Sequence, residues 1–292
     1  MRYLSASIVS DAAYLIPIGD VHVGDKAFGR RARAKLQGYL DWVAERDNAR
    51  IFLMGDIYNT ASRHSKTSPF ETNPEEYELA RELFTPVKDR ILGAIDGNHE
   101  ARMLDLFGHS PTQDLCAGLG IPYCGWSAVL ELSVGNLLDR DGRPRQNTYY
   151  VLFHHTTGGG QTLGGALNRS VKLQDIVQGI DVYCGGHNHQ LVTGVRTVLM
   201  PHPRARRMRE HKVTYVDCGS YLEWDGSYAE AKQLPMGKLG SPRIRFAGAR
   251  HVKSGVDGFW DSRDVHVSLG WLVPLALPIL SLVTLKARWI GG

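Results

Sequence analysis

Residues 14–20 read YLIPIGD and residues 51–56 read IFLMGD: twice, a short apolar run stops at a Gly-Asp pair. Runs of four or five apolar residues closed by glycine are the pattern of strands buried on both faces. Between them, Arg30 to Arg46 carries Leu36, Tyr39, Leu40 and Val43 at helical spacing. The order is strand, helix, strand. Glu75 to Val87 reads as a second helix whose acidic first turn suits the macrodipole, and it leads into Ile91 to Ile95, a third buried strand. The first hundred residues therefore predict a βαβαβ unit with a parallel sheet. Ligands of open α/β sheets bind at the carboxyl ends of the strands, so the polar, glycine-containing turns that close these runs are where chemistry is expected.

From Ser127 onward strands dominate: Ala128 to Val134, Tyr149 to Phe153, Val182 to Cys184, Leu191 to Leu199 and Val213 to Val216, with one helix around Leu167 to Val177. The polar stretch 139–147 (DRDGRPRQN) reads as a hairpin tip, and 201–212 (PHPRARRMREHK) as a long basic loop. A mixed α/β domain is expected over 1–248 and a C-terminal tail over 249–292. Within the tail, Leu269 to Leu285 has no charge and is followed by Lys286, Arg288 and Trp289. That segment resembles a membrane span with interfacial anchors, but it is short and holds Pro274 and Pro278. Packing on the body or on a second subunit is the favoured expectation over membrane association.

Composition bounds the function. With 43% hydrophobic and 22% charged residues in 292, the chain is neither disordered nor collagen-like, and its core needs no metal or disulfide for stability. Cys116, Cys124, Cys184 and Cys218 form no CxxC pair, which speaks against a thiolate zinc site and for a reducing cytoplasm. No signal peptide is evident at the N-terminus, so the cytoplasm is the expected location. The formal charge of +4 is unevenly placed: residues 1–200 carry net −2 and residues 201–292 net +6.

The strand ends hold Asp20 and His22 (GDVHVG), Asp56 and Asn59 (GDIYN), Asn98 and His99 (GNHE), His154 and His155 (FHH), and His187 and His189 (GGHNH). This mixed imidazole and oxygen set without thiolate suits manganese, zinc, iron, nickel or cobalt rather than calcium or an iron–sulfur cluster. It exceeds what one tetrahedral ion uses. With one carboxylate bridging, it fits two ions a few ångströms apart, the arrangement that clamps both oxygens of a phosphoryl transfer.

At these residues the sequence resembles the calcineurin-like metallophosphoesterase superfamily, whose GDxH, GDxxN or GDxxD, GNH-acidic, strand-end His and GHxH blocks all occur here in that order. The resemblance implies a four-layer α-β-β-α sandwich of two mixed sheets, with the C-terminal tail as an addition. It implies that Asp20, His22 and His189 hold one divalent ion, that Asn98, His154 and His187 hold the other, and that Asp56 bridges them, manganese being the foremost metal. His154 is preferred to His155 as the ligand, and His155 then lines the site or packs. A water or hydroxide between the ions is expected to attack phosphorus in line. His99 is the implied general acid for the leaving alkoxide or a stabiliser of its charge. Asn59 stands where the GDxxD form has a carboxylate partner for it, leaving Asp96 or Glu100 to substitute, and Arg102 on the following helix is a candidate phosphate ligand.

In overall layout, and in the glycine-rich stretch 155–169, the chain also looks like phosphoesterases of bacteriophages and prophages, distant relatives of the nuclease subunit of double-strand-break repair complexes. The basic stretch supplies Arg204, Arg206 and Arg207 as candidate substrate contacts, which would suit nucleic acid. The expected function is phosphodiester hydrolysis, with a nuclease as its polymeric form. A small-molecule phosphomonoesterase or phosphodiesterase of the same fold is the alternative, and a non-catalytic protein-binding scaffold a third.

Overall fold

The three buried strands expected near the N-terminus lie side by side. In the computed structural model of the protein, which describes residues 1–60, 73–138, 141–142, 144–158, 162–202, 206–249 and 263–269, β2 (Ala12–Ile18), β3 (Ala49–Leu53) and β4 (Ile91–Ala94) pair in parallel. They are connected through α1 (Arg30–Ala44) and α2 (Asn73–Phe84). On their other side β10 (Arg243–Ala247) pairs antiparallel with β2, and β11 (Val265–Ser268) pairs antiparallel with β10. The second sheet runs β1 (Arg2–Ile8), β5 (Ser127–Leu138), β6 (Pro144–His154), β7 (Val182–Gly185), β9 (Arg207–Cys218), β8 (Leu191–His202).

Burial on both faces explains the apolar runs. Leu15, Phe52, Met54 and Phe246 of the first sheet meet Leu130, Val151, Phe153 and Val216 of the second. At the centre Phe52 and Phe153 stack with ring centroids 3.7 Å apart. On the outer face of the first sheet, α1 buries Ala32, Leu36, Tyr39, Leu40 and Val43 against Ile16, Ile18, Ile51 and Leu53. On the outer face of the second, the segment of α5 (Leu163–Lys172) and Leu173 covers Leu152, Tyr183, Val213 and Tyr215. The layers are helix, sheet, sheet, helix, as the resemblance implied.

Several local readings change. β1 was not expected, because RYLSASI is half polar; it pairs in parallel with β5 along one sheet edge. The short α4 (Pro111–Leu119) was also not expected, although Ser110 is its N-cap, Pro111 opens it and Gly120 closes it in the left-handed conformation. The hairpin tip expected over 139–147 is shorter, since β6 already begins at Pro144. Of the basic stretch 201–212 expected as a loop, residues 201–202 and 207–212 are strand: β8 and β9 pair without a break from Leu191↔Cys218 to His202↔Arg207. Within the expected tail 249–292, β11 pairs at the edge of the first sheet and Arg263 reaches both carboxylate oxygens of Asp181 at 2.7 Å. Of the apolar segment 269–285 only Leu269 falls within the described residues, so the membrane expectation lies outside them. Among the described residues no helix is long and apolar enough to cross a membrane.

Candidate metal centre

The turns that follow β2, β3, β4, β6 and β7 converge at one end of the sandwich. Asp20, His22, Asp56, His187 and His189 all sit there with φ between 48° and 77°. Left-handed backbone costs a non-glycine residue about 1 kcal/mol or more and persists only where the surroundings over-determine it. Two glycines allow the turns to touch. Gly55, at φ 83°, lies so close to the Asp96–Gly97 backbone that a side chain there would overlap it, and a Cβ on Gly97 would overlap Asp56 Oδ1 and the Asp56 backbone nitrogen.

Both aspartates are buried and built alike. Asp20 Oδ2 accepts the His187 backbone N–H at 2.9 Å, while Oδ1 faces His189 Nε2 at 3.2 Å and His22 Nε2 at 3.8 Å with no hydrogen-bond partner among the described residues. Asp56 Oδ1 accepts the His99 backbone N–H at 2.8 Å, while Oδ2 faces His155 Nε2 at 3.3 Å and His22 Nε2 at 4.0 Å. Asn98 Oδ1 lies 2.5 Å from His187 Nδ1 and 3.3 Å from His155 Nε2. Burial alone would push both carboxyl groups up, but the surrounding imidazoles, His155 foremost, hold Asp20 and Asp56 well below the usual carboxylate range.

His155 occupies the place expected of His154. The reason is the pleat of β6: Val151 and Phe153 face the other sheet, Leu152 faces α5, and alternation sends His154 with Leu152 and His155 with Phe153. His155 Nδ1 donates to the Met54 carbonyl at 2.7 Å, leaving Nε2 for the centre. His154 is not part of the cluster; its Nδ1 is buried without a hydrogen-bond partner among the described residues.

His99 is brought to the site beside His22, with ring centroids 4.5 Å apart. Its Nδ1 donates to the Asn59 backbone carbonyl at 2.6 Å, so the partner is the main chain at position 59, not a side chain. Burial, then the neighbouring His22, pushes the His99 imidazole down to about 3. Arg102 is exposed, yet its charge contributes to that depression. Asp96 and Glu100, the two carboxylates considered as partners for His99, are engaged elsewhere. Asp96 accepts from Ser110 Oγ at 2.6 Å and from Tyr123 Oη. Glu100 was legible only as the acidic end of a motif; it is fully buried and accepts the backbone N–H groups of Asp56, Gly97, Ile57 and Tyr58 at 2.8–3.1 Å. It holds the turn after β3 against the start of α3 (Asn98–Phe107).

The candidate arginine contacts do not reach the centre. Arg204 lies outside the described residues, and Arg206 and Arg207 sit at the far end of the β8–β9 ladder. Eleven residue steps of strand lead from Leu191, beside the site, to His202, about 36 Å at the usual rise.

Buried lone pairs of two carboxylates, one amide oxygen and several imidazoles, with Asp20 Oδ1 lacking any hydrogen bond, are a donor set that only cations satisfy. Such a set at the carboxyl ends of two facing sheets defines the class of metal-dependent phosphoester hydrolases. The chain belongs to the calcineurin-like phosphoesterase family, whose model matches residues 15–191. No curated protein matches it. Among solved structures it is similar to the NAD nucleotidase NadN of Haemophilus influenzae, at 11% identity and a TM-score of 0.38, over 82% of this chain and 48% of that one. The chain thus spans about half the length of that protein, and a likeness of this degree says nothing of substrate.

Proposed function

We propose that the chain hydrolyses phosphodiesters at a centre of two divalent ions. Asp20, His22 and His189 hold one ion, Asn98, His155 and His187 hold the other, and Asp56 is shared. The observation that carries this reading is the position of Asp56, which belongs both to a cluster with His22 and to one with His155 and His187. Imidazole and carboxylate without thiolate support manganese first, then zinc, iron, nickel or cobalt. When bound, the ions polarise water and neutralise the nonbridging phosphoryl oxygens.

The chain's own residues do the rest. Backbone N–H groups on Asp20 Oδ2 and Asp56 Oδ1 fix both carboxylates, so one oxygen of each points at the centre. His99 is the proton donor for the leaving alkoxide. Its Nδ1–H is held by Asn59 O, so the proton it exchanges is at Nε2. Burial, then His22, holds the imidazole well below its ordinary value, so it favours giving up that proton. Four free, buried cysteines support a reducing compartment.

The test is manganese-loaded protein assayed on bis-p-nitrophenyl phosphate, p-nitrophenyl phosphate, and single- and double-stranded DNA, with metal content measured in parallel. Two ions per chain and preference for the diester are expected. Preference for p-nitrophenyl phosphate moves the reading to a monoesterase, and turnover of DNA extends it to a nuclease. No turnover with both ions bound makes the chain a scaffold.

A further inference from the structure

The β8–β9 hairpin continues past the sheet that starts it. β7 pairs with β9 only from Val182↔Thr214 to Gly185↔Asp217, while the β8–β9 ladder runs on to His202↔Arg207. His211 still touches Ile180 and Asp181, and Lys212 reaches Asp264 and Val265; beyond them Arg207 to Glu210 pair with β8 alone among the described residues, and that end of the pair forms a two-stranded ribbon.

Directly opposed residues of an antiparallel pair share a face. Arg196 opposes Val213, Met200 opposes Arg209 and His202 opposes Arg207, and Val213 packs in the layer of α5. Arg196, His202, Arg207 and Arg209 thus lie on one face, the continuation of the outer face of the sheet. Val195, Leu199 and Met208 lie on the other, as does Glu210, the sole carboxylate between residues 195 and 213. All three arginines are exposed, and no acidic side chain among the described residues pairs with any of them. The alternation gathers the three arginines on one face, together with Val198 and Met200, and leaves Lys212 and Glu210 to offset each other among the apolar residues of the opposite face.

We propose that the cationic face of this ribbon docks the phosphate backbone of double-stranded nucleic acid. A two-stranded ribbon is of a width that the major groove of a duplex admits. The face carries no Phe, Tyr or Trp between His202 and Val198, so it offers no stacking platform of the kind that holds single strands.

The measurement is fluorescence anisotropy of the metal-loaded full chain with a labelled duplex whose phosphorothioate linkages resist hydrolysis. Three phosphate contacts predict an affinity that falls about 40-fold between about 50 and about 200 mM salt. In R207A/R209A the salt slope should shrink by about 2. T197E/M208E makes the same change of net charge on the opposite face and should leave the slope as it is. Thermal melting of both variants, all of whose changed residues are exposed, should match the parent. Equal losses in the two variants, unaltered binding in R207A/R209A, or a loss seen on phosphatidylserine vesicles and not on the duplex would each overturn the proposal. Because the readout is binding, its failure leaves the metal-centre reading standing, and an inactive centre leaves this one standing.

Discussion

Asp56 and His155 meet across the two sheets, Oδ2 to Nε2, at 3.3 Å. Each is tied at its other end to the main chain: Asp56 Oδ1 accepts the His99 N–H, and His155 Nδ1 donates to the Met54 carbonyl. This is how an outer shell sets a ligand's tautomer and direction before a metal arrives.

The pair separates two adjacent histidines. His155→Ala should remove one of two ions per chain, as read by elemental analysis, and reduce turnover by more than the roughly 10- to 100-fold that losing an outer-shell partner costs. His154→Ala should keep both ions and most of the activity. The reverse result would restore the assignment made from the sequence.

Metal uptake should release protons. Burial alone would push the His155 imidazole down, but the Asp56 and Asp20 carboxylates outweigh it and raise it to about 10, so the metal-free protein carries a proton there at neutral pH. A ligand must be deprotonated, so apparent metal affinity should climb with pH through the neutral range. The metal-free fold behaves oppositely. A raised pKa contributes stability that is whole below about 6.5, the ordinary imidazole value, and is lost as pH rises through the folded value. Isothermal titration of manganese in buffers of different ionisation enthalpy reads the proton count directly; no release at pH 7 would contradict the protonated ring.

Glu100→Gln tests the carboxylate under the turn. Its four partners are all N–H donors, so whichever way the amide sits, its NH2 faces two of them. We expect a loss of about 1–3 kcal/mol in urea unfolding of the metal-free protein, and weaker metal binding because the Asp56 turn loosens. Unchanged stability would mean that the cradle is incidental.

Phe153→Ala should be the severe packing variant. Phe52 and Phe153 stack between the sheets and neither is exposed, so truncation leaves a cavity that neither sheet can close. A loss of about 3–5 kcal/mol is expected from denaturant unfolding, with metal stoichiometry unchanged in the fraction that remains folded.

The sequence by itself determined the donor types, their order and their place at strand ends. A short run such as YLIPIGD, closed by glycine, reads as a buried strand that stops at a polar turn, and five such turns in one α/β chain have one end of the sandwich to share. It did not determine which histidine of the pair enters the site. VLFHH is apolar on both faces because β6 is buried on both, so the period-2 phase that separates His154 from His155 is invisible until the second sheet and α5 take their sides. Nor did it show β11, four residues whose strand character depends on β10 beside them. The basic stretch 201–212 looked like a loop near the metals because its charges hide any alternation. Pairing with β8 made 207–212 a strand, carried Arg206 and Arg207 about 36 Å along the ladder from the site end, and turned Arg207 and Arg209 onto the face of Arg196. Local chemistry chose the ligands; long-range pairing chose which side chains face them.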